Sequence, residues 1–444
     1  MKRLFKNVSY VLILATFAVA LSGCGKTTTG GGGTSQSGQF IVWSFEDADV
    51  WKEISRDFEQ KNKGYKFVYV KQTLDSEYES RVLNSILSGA GPDVWAMPDD
   101  WVYRHKDKLA PMPDTFAKTI TKDKFVTSVN DSVLIDDKFY ALAPAAEPLI
   151  MYYNPKLLTQ LLNNYITANP GPTNSTKVSR ARFLLDQNKP RTWDEFTEAL
   201  KIVTQKDTKG KITTAGTALG TDSIMYSQDI LYLMMLQQGT DMTNVKSGSI
   251  TQATFNLPNS SSSNTDVFPG RQALDFYTSF ADPTSPNYSW DDSLGNSLEA
   301  FVNGKVVFMF GYSSLQLSIA QKYPEFHDYT KAFVPQLDTT SSNFIDYARF
   351  SAFGVNRSSG TAGIQMGWDL VTGLATTYSS SFSSAQRMTG ASKKTSYDTT
   401  LEARSGTNPD AQELGTARSF IKGRYPVEFD SNIRNAIWII KRKK

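Results

Sequence analysis

One cysteine, Cys24, stands in the whole 444-residue chain, so no disulfide forms within a single copy. Histidine is nearly as scarce. His105 and His327 are the only two, which excludes a His-rich zinc or iron site. A Ser-His-Asp hydrolase would need one of them, and neither sits in a recognisable catalytic motif. No Gly-x-x-x-x-Gly-Lys-Ser/Thr phosphate loop occurs, so any ATP hydrolysis coupled to this chain belongs to another subunit. An excess of one charge is missing too. The formal surplus is +3, and Lys2, Arg3 and Lys6 account for it inside a leading segment with no acidic residue. The remainder is near neutral and gives no electrostatic reason to expect nucleic acid. The basic end Lys441-Arg442-Lys443-Lys444 reads as a solvated helix terminus, and no internal repeat is visible.

A long apolar run is also lacking. The mostly apolar residues 8–21 follow a cationic start and lead into Leu21-Ser22-Gly23-Cys24. A basic end, a stretch too short to span comfortably and a small-residue exit make a secretory signal over 1–23 rather than a transmembrane helix. Leu-Ser-Gly-Cys resembles the lipobox of bacterial lipoproteins, which implies acylation of the Cys24 thiol. Fatty chains there would anchor the protein to the extracytoplasmic face of a membrane without crossing it. Residues 24–39 carry four consecutive glycines, and none from Lys26 on is apolar; they read as a flexible tether of roughly 20 Å.

What remains is about 420 residues, enough for two compact lobes. Aromatic side chains are abundant, with 8 Trp, 20 Tyr and 26 Phe, more than cores usually demand, and suit a ligand with flat apolar faces. Phe40 to Phe45 is an apolar run of strand length. Val50, Ile54 and Phe58 recur at helical spacing, with Asp49 placed as N-cap. A strand at 66–70, a helix marked by Tyr78, Val82 and Ile86, and a strand at 94–97 follow. That alternation opens an α/β sheet, whose ligand crevice lies at the carboxyl ends of its strands. The residues there are Trp43 to Asp47 and Pro98-Asp99-Asp100-Trp101. Residues 138–155 form an extended apolar segment split by prolines, with one carboxylate, Glu147, in its polar window. Burying that carboxylate without a partner is costly, so Glu147 should face a polar cleft or a hydrogen-bond network. A strand is expected over 149–153. Thr192 and Glu195 mark the start of another helix by their capping-box spacing, and an apolar helix runs over 226–237. Residues 245–267 have no convincing period and read as a loop or insertion. The strand at 306–310 ends on Gly311-Tyr312, again a crevice edge. Tyr347 and Arg349 lie in an extended run over 346–355.

This order of pieces resembles the extracellular solute-binding proteins of ABC importers, in particular the family that includes maltose-binding protein. The resemblance is carried by Ile41-Val42-Trp43, Gly91-Pro92-Asp93-Val94, Tyr140 through Asn154, Arg191-Thr192-Trp193-Asp194-Glu195-Phe196, Phe301-Val302-Asn303-Gly304-Lys305 and Phe353-Gly354-Val355. It implies two α/β lobes of the periplasmic-binding-protein type, the first from 40–147 and about 345–400, the second from 148–344 and about 401–444. It implies a sugar held in the interlobe cleft and delivered to ABC permease subunits in the membrane. Carried over by position, polar sugar contacts fall on Asp47, Asp100 and Glu147, and stacking aromatics on Tyr226 and Tyr312. Trp43, Tyr347 and Arg349 complete the candidate ligand-binding set, with no catalytic residue, metal or cofactor. The alternatives are a lipid-anchored glycoside hydrolase, which would also want paired carboxylates and aromatic platforms, and a surface sensor or adhesin using the same clamp.

Overall fold

The computed structural model describes residues 38–125, 127–170, 175–187, 190–246, 249–258, 267–337, 345–379, 381–382 and 389–390. Cys24, the signal, nearly all of the tether and the segment 401–444 lie outside the described residues. Order starts at β1 (Gly38–Ser44), which takes in the last two tether residues. Phe40, Val42 and Ser44 are buried while Ile41 and Trp43 are half-buried, the two-residue period of a strand with unequal faces. In α1 (Ala48–Lys61) Trp51, Ile54 and Phe58 form the buried stripe. The helix begins earlier than expected: its N-cap is Asp47, not Asp49, and the Asp47 side chain makes no cap bond. It pairs with Lys71 instead.

β2 (Tyr65–Lys71), α2 (Tyr78–Leu87), β3 (Val94–Pro98) and the short α3 (Trp101–Arg104) follow. β1 lies between β2 and β3, parallel to both. α4 (Thr127–Val133) leads to the hairpin β4 (Leu134–Ile135) and β5 (Lys138–Phe139), turned by Asp136 and Asp137 at φ 51° and 58°. Two successive left-handed residues are what a two-residue hairpin turn requires. β6 (Ala141–Leu142) precedes β7 (Ala145–Tyr153), which is buried along its whole length. The strand expected from Leu149 therefore starts four residues earlier and includes Pro148. Pro148 pairs with a strand only two residues long, so its missing N–H interrupts little of the ladder.

The second lobe comprises α5 (Pro155–Ala168), α6 (Ser175–Gln187), α7 (Trp193–Val203), β8 (Gln205–Lys206), β9 (Ile212–Thr217), α8 (Ser227–Gln237), β10 (Thr243–Lys246), β11 (Ser249–Ala253), α9 (Pro269–Ser279), α10 (Ser297–Val302), β12 (Val306–Tyr312), α11 (Leu315–Lys322) and β13 (Thr330–Ala332). β10 and β11 are an antiparallel hairpin where the sequence suggested a loop. Its ladder is made by backbone groups, which leave no period in the side chains to read. At α7, Thr192 Oγ1 accepts the Glu195 N–H at 3.1 Å. The Glu195 carboxylate turns to Arg191, accepting its N–H at 2.8 Å, so only half of the expected capping box forms.

The chain then returns through β14 (Ala348–Arg349), β15 (Ser351–Val355), α12 (Gly360–Ala375) and β16 (Thr389–Gly390). The first sheet runs β2-β1-β3-β15-β6 and the second β13-β7-β12-β9-β8, with β14 and β16 added to β7. Each sheet has its own hydrophobic core. Val42, Trp51, Trp95, Ala146, Phe350 and Trp368 belong to one; Leu149, Phe196, Leu231, Phe308 and Tyr347 belong to the other. The chain thus changes core between Ala146 and Leu149 and changes back between Tyr347 and Phe350. At those two places β7 and β14 run antiparallel, with Arg349 opposite Glu147.

Candidate functional site

Between the cores, the paired crossings bring a carboxylate and a guanidinium together. Glu147 is 2 % exposed. Its Oε1 accepts the backbone N–H of Ser314 at 3.0 Å, at the amino end of α11, where the helix dipole favours negative charge. Its Oε2 accepts from Arg349 Nε, also at 3.0 Å. Arg349 lies across two aromatic rings: its Cζ is 3.9 Å from the centre of Tyr312 and 5.2 Å from that of Tyr226. The rings meet edge to face at 4.9 Å and 82°, the orientation their quadrupoles prefer. Burial alone would discourage charge on Arg349, but the Glu147 carboxylate and the two electron-rich rings outweigh it and hold the guanidinium protonated above its usual range. Burial likewise raises the Tyr226 phenol, with Arg349 pulling the other way.

Local structure explains how the rings arrive. Tyr312 ends β12, in register with Leu149, so it sits one turn of chain from Ser314 and close to the crossing. Tyr226 caps α8 in a left-handed conformation at φ 60°, which a tyrosine adopts at a cost of about 1–3 kcal/mol. That backbone lets the ring turn to Tyr312 and Arg349 before the helix starts.

Asp100 joins this neighbourhood through its chain neighbour. The Asp99 N–H donates to the Phe350 carbonyl at 3.2 Å, placing the end of β3 beside the residue after Arg349. Asp99 and Asp100 are 0 % and 5 % exposed. Trp43 and Asp47 lie at the same carboxyl end of the first sheet, on and just after β1. Trp43 is half-buried against the first core, and Asp47 is exposed and paired to Lys71. Tyr347 reaches the crossing through its backbone, its carbonyl accepting the Leu149 N–H at 2.8 Å. It is fully buried in the second core, its ring 6.0 Å from that of Tyr232. Tyr312 is also fully buried, and the guanidinium covers one of its faces.

Ser314 and Asp346, near the crossings, escaped the sequence reading, which reached Glu46 only as part of the stretch 43–47. Ser314 matters through its backbone and leaves no signal. Glu46 is buried, with Ser44 donating to its carboxylate. Asp346 is 3 % exposed, with Oδ1 accepting the Tyr347 N–H at 2.7 Å. It had the signal that singled out Glu147, a carboxylate in an extended apolar run. A separate concavity of about 410 Å³ in the first lobe, lined by Met112, Ile120, Leu134, Phe139 and Lys138 among others, shares no residue with the cluster.

Two lobes joined by paired crossings, with polar and aromatic groups gathered at the junction, define a hinged binding protein. The family described as bacterial extracellular solute-binding protein matches residues 53–393, and the chain belongs to it. It is a solute binder rather than an enzyme, which sets the hydrolase alternative aside, and the family's description places it outside the cytoplasm. Among the described residues no helix is long and apolar enough to cross a membrane. A galactooligosaccharide-binding protein of Bacillus subtilis is 23 % identical over 164 residues, spanning 36 % of this chain and 37 % of that one. Among solved structures, the cyclic α-maltosyl-1,6-maltose binding protein of Arthrobacter globiformis aligns with TM-score 0.64 at 17 % identity, covering 90 % of this chain and 93 % of that one. The sugar-binding protein MalE of Xanthomonas citri aligns with TM-score 0.64 at 16 % identity, covering 91 % of each. At such identities these structures establish the shared two-lobe fold.

Proposed function

We propose that the protein captures a carbohydrate between its lobes and delivers it to an ABC permease, held at the membrane by acyl chains on Cys24. The observation that carries this reading is the cluster at the crossings, where a guanidinium and aromatic rings meet between two separate cores. Such a junction offers a ligand polar groups for its hydroxyls and apolar surface for its ring faces. The sugar-binding relatives support the ligand class. Because the ligand touches both lobes, binding favours the closed arrangement, and closure favours docking on the permease. Transport energy comes from a separate ATPase subunit.

A thermal-shift screen of the purified protein against mono- and oligosaccharides tests the reading. A melting temperature that climbs with sugar concentration, and no sugar turnover, is expected. Silence across the panel would remove the carbohydrate assignment. The anchor has its own test: Cys24→Ser should release the protein from membranes into the soluble fraction, and continued membrane association would refute lipidation at that thiol.

A further inference from the structure

Arg349 has three nitrogens, and only Nε is engaged by a carboxylate. Its Nη1 and Nη2 carry four further N–H groups; the Tyr226 hydroxyl engages the guanidinium, and no described carboxylate takes the rest. The side chain is 38 % exposed. Stacking on Tyr312 and the Nε bond to Glu147 together fix the plane of the guanidinium, so the remaining two nitrogens form a pre-set fork. Glu147 has little to offer a ligand, since one oxygen takes Ser314 and the other takes Arg349. Asp99 and Asp100, on the adjoining segment, are buried and have interaction partners of their own. The charge left at this point is therefore a donor, flanked by tyrosine rings whose carboxylate neighbours are already engaged. A sugar hydroxyl both gives and accepts hydrogen bonds, whereas a carboxylate only accepts and matches a guanidinium fork with two parallel bonds.

We propose that the group bound by Arg349 is a carboxylate on the sugar, so that the protein selects a uronate-bearing saccharide over its neutral counterpart. This rests on the carbohydrate reading and narrows it. Glu147 then acts as a positioning residue, aiming the fork without touching the ligand.

The experiment is calorimetric titration of the full-length protein with matched pairs: α-1,4-trigalacturonate against α-1,4-galactotriose, and cellobiouronate against cellobiose. Methyl-esterified trigalacturonate is the third probe, keeping the skeleton and removing the charge. At least one uronate should bind ten-fold or more tighter than its neutral partner, with esterification erasing the advantage. Arg349→Gln should weaken uronate binding about 10- to 100-fold, and Arg349→Lys, which keeps the charge but loses the fork, should fall between. If Arg349→Gln does not fold, the ester comparison on the unmodified protein still decides. Neutral sugars binding as well as or better than the uronates would overturn the proposal and leave the carbohydrate reading standing. No binding by any saccharide, charged or neutral, would overturn both.

Discussion

Glu147 and Arg349 hold each other across the two crossings, and the asymmetry of their surroundings sets what each change should do. Glu147 is 2 % exposed and Arg349 38 %, so removing the carboxylate's charge strands a guanidinium that solvent only partly reaches. Glu147→Gln should cost about 1–3 kcal/mol, below the usual penalty for breaking a fully buried pair because Arg349 retains some water. Urea unfolding reads this directly, and a change within error would mean that the rings alone hold Arg349. Asp346 poses a different problem. Among the described residues no ion pair reaches it, and burial pushes its carboxyl from 3.8 up to about 8, against the opposing Tyr347 N–H. Between those values the folded protein keeps a proton that the unfolded chain has lost. Its contribution to stability is thus fully present below about pH 4 and is lost as pH rises toward 8. The difference between native protein and Asp346→Asn isolates this effect from carboxylates held low by partners, such as Glu79 and Glu195, which act at lower pH. Asp346→Asn should gain stability relative to the native protein as pH goes from 5 to 9, by up to a few kcal/mol. Parallel stability curves would show that Asp346 titrates as an ordinary carboxyl. The lone carboxylate between prolines made Glu147 conspicuous in the sequence. What it binds was not legible, because Arg349 lies 202 positions away and Ser314 contributes only its backbone.

At the scale of elements, the legible parts were those whose side chains repeat against a core: α1, α2, α7 and β12. Two-residue strands such as β8, β14 and β16 carry no period, and β10–β11 is defined by its backbone ladder. α12 shows a constraint invisible in the periodicity. A Cβ on Gly367 would lie 2.7 Å from Val355 Cγ1 and 3.1 Å from its Cγ2, and a β-branched valine in a strand has little rotamer freedom to move aside. Gly367→Ala therefore sets a gain in helix propensity of about 1 kcal/mol against overpacking of about 1–3 kcal/mol, and a net loss is expected. Gly373→Ala in the same helix meets only the Tyr378 ring, at 3.4 Å, so propensity should win there. Thermal melts of the two variants should move in opposite directions. Two shifts of the same sign would mean that the separation of α12 from β15 does not govern its packing.

For the molecule as a whole, the decisive property is that the residues around the crossings are drawn from chain segments belonging to different cores. Asp99 and Asp100 follow a strand of the first sheet, Tyr226 and Tyr312 belong to the second lobe, and Glu147 and Arg349 lie on the crossings. A ligand that bound only one lobe would stabilise that core and leave the other to open as before. One gripped by both couples the two, and local opening on either side then requires ligand release. Hydrogen exchange with and without a saturating sugar separates these cases. At a ligand concentration one hundred times Kd, amides at 97–101, 147–150, 312–315 and 347–351 should all slow by up to about 100-fold, because the same release step limits each. Protection confined to 312–315, with 97–101 exchanging at its free rate, would mean that the sugar rests on the second lobe alone. Closure would then have no source of free energy in ligand contacts, since a ligand shifts an equilibrium only by its difference in affinity for the two arrangements.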